Sequence, residues 1–464
     1  MRQHIAHMTR VATLRRGVAF AACALAITAF TASAAADGVV TLPGYDAPGP
    51  AKYDKVKVVK TGPASAKRVL VLVPGTSAGA PYFTTLAKDL VKALPGWQVW
   101  AVERRENLLE DHRMLDRGKR GTADSKTVFD HYLGWIGGNV PGHFEPVSTD
   151  DAPFVRDWGM KVAIEDLRRV VRSARRGGRS VVLGGHSLGG NIAVSYATWD
   201  FGKGRAGVDD LDGLVLIDGG SGPGTKDRPT PTPATAKAQL AKLAKESPFL
   251  DLSGSGLPWT MGVLNAVGST GALKDPMSPS WGQQWPLLPK ILNPPVTVNH
   301  RAQYGYAIDT ETGPESLALV QMHVGKLAPS GDPRDWQDGE LGSVERAATV
   351  FSGPVGMDGT AWYHPRRLTL DGSATNGGTP TAAQRTLGVR STRAKDVDVP
   401  IYAFAASLGG DRVIAGAKRL GRIGGGKVTA VNRKTTFAHL DPIAAAPDKN
   451  DFLETVVPFL KRIR

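Results

Sequence analysis

Residues 180–190 read SVVLGGHSLGG and carry the clearest signal of the fold. Val181, Val182 and Leu183 form a β-branched and aliphatic run, typical of a buried strand. A glycine-rich turn follows, and then a helical pattern near residues 191–198. Gly185-His186-Ser187-Leu188-Gly189 matches G-x-S-x-G, in which small neighbours let the strand and the helix pass closely at a sharp turn. The pattern predicts Ser187 as a nucleophile.

The same alternation of strand and helix extends on both sides of this stretch. Short apolar runs predict strands at residues 56–59, 68–73, 98–102, 214–217, 400–405 and 427–431, and helical periodicity is clearest at 81–93 and 160–174. A last helix has Phe452, Val456 and Phe459 on one face. Strands that alternate with helices indicate an α/β fold with a doubly wound, mostly parallel sheet.

The alternation stops at Asp218 and resumes near residue 397. Residues 219–396 are rich in Pro, Gly, Ser and Thr, and they show one clear helical pattern, at 234–247. A long insertion between sheet strands is usually functional, as a lid or a binding wall. We therefore expect a core formed by residues 37–218 and 397–464, with 219–396 as a large cap or lid insertion.

The first 36 residues have the order of a secretory signal. Four arginines and no acid are followed by an apolar run and then by small residues, and cleavage is expected after Ala34 or Ala36. The apolar run is short for a membrane span, so no stable span is expected after cleavage. The predicted location is therefore extracellular, periplasmic or associated with the cell envelope. Arg15-Arg16 leaves the choice between general and twin-arginine export open.

The composition is that of an ordinary globular protein, with 41% hydrophobic and 22% charged residues. Loss of the signal would lower the net charge of +14 to about +10. The basic residues are spread along the chain without a nucleic-acid motif, so no nucleic-acid partner is expected. Cys23, the single cysteine, lies within the signal, and the mature chain therefore has no disulfide. H-E-x-x-H is absent, and Glu110-Asp111-His112 is interpreted as a solvated loop, with a metal-ligand set as the alternative. No metal or cofactor is therefore predicted.

A second G-x-S-x-G match occurs at residues 75–79 and makes Ser77 a competitor of Ser187. Too few mature residues precede Ser77 for the strands that a nucleophile turn requires, so Ser187 is preferred. The turn that begins Pro74-Gly75-Thr76 suits an oxyanion hole, which needs a backbone N–H aimed at the developing charge. Thr76 and Leu188 are the predicted N–H donors, and a plain glycine turn is the alternative.

A serine nucleophile needs a base, and the base needs an acid that fixes its tautomer. His439 is the predicted base because it lies between the last strand and the last helix, whereas the other downstream candidates, His300, His323 and His364, lie in the insertion. The predicted acid is Asp411, which follows the 400–405 strand through a Gly-Gly pair. Asp218 is the alternative acid, since it also ends a strand, and Glu103 is a more remote one.

Together these motifs resemble the α/β-hydrolase superfamily, and within it the serine esterases and lipases. The resemblance rests on Pro74-Gly75-Thr76, Gly185 to Gly190, Gly410-Asp411 and His439-Leu440-Asp441-Pro442, and it covers about half of the chain. It implies that a carboxylic ester, a small molecule or a lipid, is cleaved through an acyl-serine intermediate without a cofactor. Pro74 departs from the pattern, because many members carry His at that position before the oxyanion glycine.

Two other functions stay open at this point. An amide or peptide hydrolase would use the same triad. A secreted binding protein could have the same fold without catalytic activity. Neither the substrate nor the oligomeric state follows from the residues. Five tryptophans lie in the insertion: Trp259, Trp281, Trp285, Trp336 and Trp362. They either contact an apolar group of the substrate or pack in the insertion's own core.

Overall fold

A computed structural model describes residues 38–226, 229–312 and 320–463. The predicted export signal, residues 1–36, lies outside these ranges. The centre of the described chain is one eight-stranded sheet with the order β1-β2-β4-β3-β5-β6-β7-β8. The strands are β1 (Gly38–Pro43), β2 (Lys55–Thr61), β3 (Arg68–Val73), β4 (Trp97–Val102), β5 (Ser180–His186), β6 (Gly213–Ile217), β7 (Ile401–Ala405) and β8 (Val428–Asn432).

The sheet is mostly parallel. β2 runs antiparallel to both of its neighbours, β1 and β4, and every other pair from β4 to β8 is parallel. The carboxyl ends of the parallel strands therefore meet at one edge of the sheet, where α/β folds place their sites. The predicted fold class, a doubly wound and mostly parallel α/β sheet, is confirmed.

Helices cover both faces of the sheet. They are α1 (Thr84–Ala93), α2 (Arg113–Lys119), α3 (Ser125–Tyr132), α4 (Met160–Ala174), α5 (Leu188–Ala197), α6 (Pro233–Leu243), α7 (Thr260–Lys274), α8 (Trp281–Gln284), α9 (His300–Ile308), α10 (Val344–Ser352), α11 (Arg366–Ser373), α12 (Ala382–Leu387), α13 (Asp411–Gly424), α14 (Asp441–Ala444) and α15 (Asp451–Lys461). Two small hairpins pair Asp200–Gly202 with Arg205–Ala206 and Lys326–Gly331 with Arg334–Gln337. Among the described residues, no helix is both long enough and apolar enough to cross a membrane.

Two apolar cores lie on opposite faces of the sheet. Residues of α1 and α15 pack with α9 and α10 on one face, and residues of α4, α5 and α13 pack on the other. The sequence of α4 is amphipathic. Its apolar residues recur at helical spacing and are buried against the sheet, whereas its arginines face outward.

Residues 219–396 leave the sheet after β6 and return before β7. They contain α6 to α12 and the second hairpin, which is more regular structure than their composition predicted. A third core joins α7 of this segment to α2, α3 and the chain before α4, and its large members include Tyr132, Phe144, Trp259 and Trp362. The insertion therefore packs against the segment that follows β4 as well as against the sheet.

Candidate active site

Ser187 occupies a strained turn between β5 and α5. Its backbone has φ 55° and ψ −122°, in the left-handed region that residues with a side chain rarely adopt. The turn is tight because a Cβ on Gly185 would lie 2.1 Å from the Gly189 carbonyl oxygen, and a Cβ on Gly189 would lie 2.0 Å from that of Val73. Both glycines of the motif are thus sterically required, and the half-buried Ser187 side chain stands at the carboxyl edge of the sheet.

His439 binds Asp218, and the pair lies beside this turn. The Nδ1 of His439 is 2.6 Å from Oδ2 of Asp218, and both side chains are buried. Asp218 directly follows Ile217, whose carbonyl accepts a hydrogen bond from the Ser187 N–H at 2.9 Å. The His439 ring lies 4.3 Å, between centroids, from the ring of His186, the residue before Ser187. The structure therefore brings Ser187, Asp218 and His439 to the same edge of the sheet.

The carboxylate of Asp218 is held by the loop that follows β7. Its oxygens accept backbone N–H groups of Ala406 at 2.7 Å, Gly409 at 3.0 Å and Gly410 at 3.3 Å. Burial alone would raise the pKa of Asp218, but the hydrogen bond and charge of His439 and these N–H donors outweigh it and hold that pKa below its usual value. The ionised carboxylate then keeps the proton of His439 on Nδ1 and leaves Nε2 as the basic nitrogen.

The prediction that Asp411 orients His439 is wrong in this geometry, and the alternative, Asp218, occupies that position. Asp411 is the first residue of α13, with its side chain 67% exposed, and it pairs with Lys434 and Asn432. The Gly409-Gly410 pair that pointed to Asp411 serves instead to bind Asp218 through its N–H groups. Spacing along the chain could not distinguish the two acids, because both follow a strand of the same sheet.

The strand order, the serine turn after β5, the acid after β6 and the histidine after β8 together decide the architecture. The chain has the α/β-hydrolase fold. This was the predicted resemblance, and the fold is confirmed by the order of its strands.

Solved structures of the α/β-hydrolase fold are similar to this chain along most of its length. A lipase candidate from Sulfolobus solfataricus is 15% identical with a TM-score of 0.49, over 92% of this chain and 94% of that one. A lipase in its open form is 16% identical with a TM-score of 0.44, and an epoxide hydrolase from Mycobacterium thermoresistibile is 13% identical with a TM-score of 0.39; each comparison covers 92% of this chain and 99% of the other. No protein-family model and no curated protein sequence matches the chain. The role of each side chain is therefore argued from its own geometry.

His186 supports the His439 loop of the hydrolase fold. Its Nε2 donates to the His439 carbonyl oxygen at 2.9 Å. Burial, followed by the nearby charge of His439, lowers the pKa of His186 to about 3, so that its ring stays neutral. The His186 ring packs against the ring of His439.

The turn after β3 lies against Ser187. A Cβ on Gly75 would be 2.9 Å from the Ser187 Cβ, so only glycine permits this approach. Arg104, buried beside the turn, donates from Nη1 to the Pro74 carbonyl at 2.9 Å and to the Gly75 carbonyl at 2.5 Å. Because the C=O and N–H of one peptide point in opposite directions, Arg104 fixes the direction of the Thr76 N–H.

The two predicted oxyanion donors, the N–H groups of Thr76 and Leu188, donate to no other group in the part of the chain that the structure describes. Both residues are half-buried, and Leu188 is the first residue of α5, where an N–H has no partner within the helix. Their use as an oxyanion hole stays a prediction.

The remaining sequence candidates have other partners. His300 donates to the Asp275 carbonyl at 2.7 Å, and His364 is 2.9 Å from the Thr369 hydroxyl. Glu103 is buried and accepts the Ala80 N–H at 2.6 Å, and burial, followed by the charge of Glu110, raises its pKa to about 8. None of these side chains contacts His439.

Two supporting residues were missed by the reasoning from sequence. Arg104 stands in a charged run directly after a buried strand, which was the signal that it is held inside the fold. The carboxylate of Asp441 binds the ring of His323 at 2.6 Å and the Ala438 N–H at 2.6 Å, and Leu440 donates to the Gln321 carbonyl at 3.1 Å. The insertion therefore holds the loop that carries His439.

The tryptophans of the insertion are mainly structural. Trp259, Trp336 and Trp362 are buried within the apolar cores, which favours the packing interpretation for these three. Trp281 lines an apolar cavity of about 120 Å³ enclosed by helices that include α3, α7 and α9. None of the predicted catalytic residues lines this cavity.

The interpretation of Glu110-Asp111-His112 as a solvated loop is wrong for two of its residues. The side chains of Glu110 and His112 are 1% and 11% exposed, and they meet Asp358 of the insertion. Asp111 is more open and pairs with the exposed Arg113. Sequence could not reveal this arrangement because Asp358 lies far away along the chain.

Proposed function

We propose that this chain is an exported serine hydrolase that cleaves carboxylic esters through an acyl-serine intermediate. The observation that carries the proposal is the buried His439–Asp218 hydrogen bond beside the strained Ser187 turn. Acyl transfer needs a nucleophile, a base of fixed tautomer and N–H donors for the oxyanion. Each of these has a candidate at the same edge of the sheet.

The reaction begins when His439 Nε2 takes the proton of the Ser187 hydroxyl as the oxygen attacks the ester carbonyl. Asp218 stabilises the imidazolium, and the N–H groups of Thr76 and Leu188 hold the negative oxygen of the tetrahedral intermediate. That intermediate collapses, the bond to the alcohol breaks, and His439 returns its proton to the leaving oxygen. Water, deprotonated by His439, then attacks the acyl-serine and releases the acid.

The substrate and the location belong to the same proposal. An ester of a small molecule or a lipid is the substrate class favoured by the residues, and an amide or peptide is the second candidate because the triad serves both. Export rests on the order of charged, apolar and small residues in positions 1–36. N-terminal sequencing of the secreted protein would test cleavage after Ala34 or Ala36.

The proposal is tested with short and long p-nitrophenyl esters, beside p-nitroanilides as amide substrates. Ser187→Ala should lower kcat by about 10⁶-fold, because the attacking oxygen is removed, and it should abolish labelling by a serine-reactive phosphonate. Ser77→Ala is the matched control, since it alters the other G-x-S-x-G turn, and it should keep the wild-type rate and labelling. Phosphonate attached to Ser77 would overturn the assignment of the nucleophile. A wild-type chain that is inactive on every substrate and is unlabelled would favour a binding protein.

A further inference from the structure

A buried cluster of three side chains lies outside the proposed triad. It joins the loop after β4, which carries Glu110 and His112, to the insertion, which carries Asp358. The Nε2 of His112 is 3.0 Å from Oε2 of Glu110 and 3.3 Å from Oδ2 of Asp358, and these three atoms all lie within 4.8 Å of one another. One nitrogen and two carboxylate oxygens thus face a common point inside the protein.

The geometry of His112 is unsuited to a simple hydrogen bond. Its Nε2 is buried, and although two carboxylate oxygens are near, neither is placed as a proper hydrogen-bond acceptor. A single N–H could in any case serve only one of them. A cation between the three atoms would satisfy all of them at once, because the imidazole lone pair and both oxygens are metal ligands.

Outer hydrogen bonds orient both carboxylates toward this point. The second oxygen of Glu110 accepts the Trp362 N–H at 2.8 Å, and the second oxygen of Asp358 accepts the N–H and hydroxyl of Thr360 at 2.7 and 2.6 Å. Oε2 of Glu110 and Oδ2 of Asp358 are left facing His112; the latter also accepts the Trp362 indole N–H at 3.1 Å. Such support of ligand carboxylates is typical of metal sites.

Lys119, a positively charged side chain near the cluster, does not pair with the two carboxylates. Lys119 donates to the carbonyl oxygens of Met357 at 2.7 Å and Pro354 at 3.1 Å and forms no ion pair with either carboxylate. Glu103, the other buried acid beside the cluster, is occupied by Ala80 and Asn107.

We propose that Glu110, His112 and Asp358 bind a divalent transition-metal ion of the zinc type. The nitrogen ligand argues for this class over calcium or magnesium, which prefer oxygen alone. Three protein ligands leave a fourth position for water. This site departs from the expectation that the chain needs no metal, and it does not depend on the proposed ester hydrolysis.

The ion would fasten the insertion to the turn that carries Thr76. Directly after Asp358, the Gly359 carbonyl accepts the Gly79 N–H at 3.0 Å, and Thr360 pairs with Ala78. Metal binding would therefore stabilise the fold and hold the turn that contacts Ser187. It would act at a distance from the triad and take no part in bond breaking.

The test uses the untagged mature chain, stripped with a chelator and reloaded with Zn²⁺. Elemental analysis should find about one Zn²⁺ per chain, and Zn²⁺ should raise Tm and change the fluorescence of Trp362, whose ring is 5.4 Å from that of His112. Co²⁺ should give the visible spectrum of a nitrogen- and oxygen-ligated ion. Glu110→Gln, which keeps the acceptor for Trp362, and His112→Asn should each weaken binding by more than about 100-fold.

Asp111→Asn is the matched control, because it changes the carboxylate between the two ligands that pairs with exposed Arg113. It should bind Zn²⁺ as the wild type does. A stripped wild-type chain whose Tm and fluorescence do not respond to Zn²⁺ would overturn the proposal and identify the cluster as an ion pair of protonated His112. Stabilisation by Ca²⁺ and not by Zn²⁺ would contradict it as well, since an all-oxygen site does not need His112.

Discussion

Two turns of this molecule share one sequence pattern and nearly the same φ at their serines, yet their surroundings differ. Both follow a central strand, β3 or β5, both read G-x-S-x-G, and their serines have φ of 54° and 55°. Ser187 is half-buried, directly precedes α5 and lies beside Asp218 and His439. Ser77 is 7% exposed, precedes a short 3₁₀ turn, and its neighbours pair with the insertion. Positive φ alone therefore does not distinguish the two serines, and the proposal of Ser187 as nucleophile rests on its neighbours at the strand ends.

After the loss of the Ser187 hydroxyl itself, the largest expected effect concerns Asp218, the proposed acid beside the Ser187 turn. Asp218→Asn should lower kcat by about 10⁴-fold, because an amide cannot hold His439 in the tautomer that leaves Nε2 basic. Asp411→Asn is the control and should change kcat by less than about twofold, since a surface ion pair contributes little. Ester hydrolysis measured beside Tm separates catalysis from misfolding. An inactive but folded Asp411→Asn variant would indicate that Asp411, and not Asp218, is the acid that orients His439.

The contact between the two turns is tested by Gly75→Ala. The new methyl group would lie 2.9 Å from the Ser187 Cβ, and the turn that carries the Thr76 N–H must move away. We expect kcat to fall by about 10- to 100-fold, with a smaller change in KM. Gly372→Ala is the control, because its added methyl would meet Met160 at an ordinary 3.8 Å. Wild-type kcat for Gly75→Ala would argue against an oxyanion hole at this turn.

The Ser77 and Ser187 turns should carry similar backbone strain, although only the Ser187 turn is proposed to be catalytic. Ser77→Gly and Ser187→Gly should each be more stable than the alanine variant at the same position by about 1 kcal/mol, because glycine tolerates positive φ. Urea unfolding of the four variants measures this. If the glycine variant is more stable than the alanine variant at only one position, the similar φ angles do not reflect equal strain.

The smallest expected effect is the pH dependence of the His323–Asp441 contact. Burial lowers the pKa of His323, but the hydrogen bond and charge of Asp441 outweigh it and raise that pKa above 6.5. The contact therefore stabilises fully below about pH 6.5 and weakens as pH rises through the raised value. His323→Gln should cost about 1 kcal/mol at pH 6 and less at pH 9, as measured by urea unfolding. A cost independent of pH would contradict a charged pair, and His143→Gln, whose ring stacks on Trp135, is the control.

The fold could be predicted, and two residues of the proposed triad, Ser187 and His439, could be proposed, because local signals carry them. The buried run before Gly185 and the glycines that admit the Ser187 turn are dictated by sterics between adjacent residues, and His439 follows the last strand. The acid could not be chosen in the same way, because Asp218 and Asp411 both end up near strand termini and only the folding of the β7 loop decides between them. The Glu110–His112–Asp358 cluster was invisible for a related reason, since its members come from two distant segments.

Asp218 also marks the place where the chain leaves the sheet and comes back. Its backbone N–H donates to the Phe404 carbonyl at 2.8 Å, and its side chain binds the first residues after β7, so roughly 180 intervening residues begin and end within a few ångströms. Closing a loop of that length costs about 4–5 kcal/mol in chain entropy, which must be spent before β6 and β7 can align. The pairing of β6 with β7 should therefore be a late event in folding. Because the two ends of the insertion are in contact, the insertion could be shortened or replaced without separating β6 from β7.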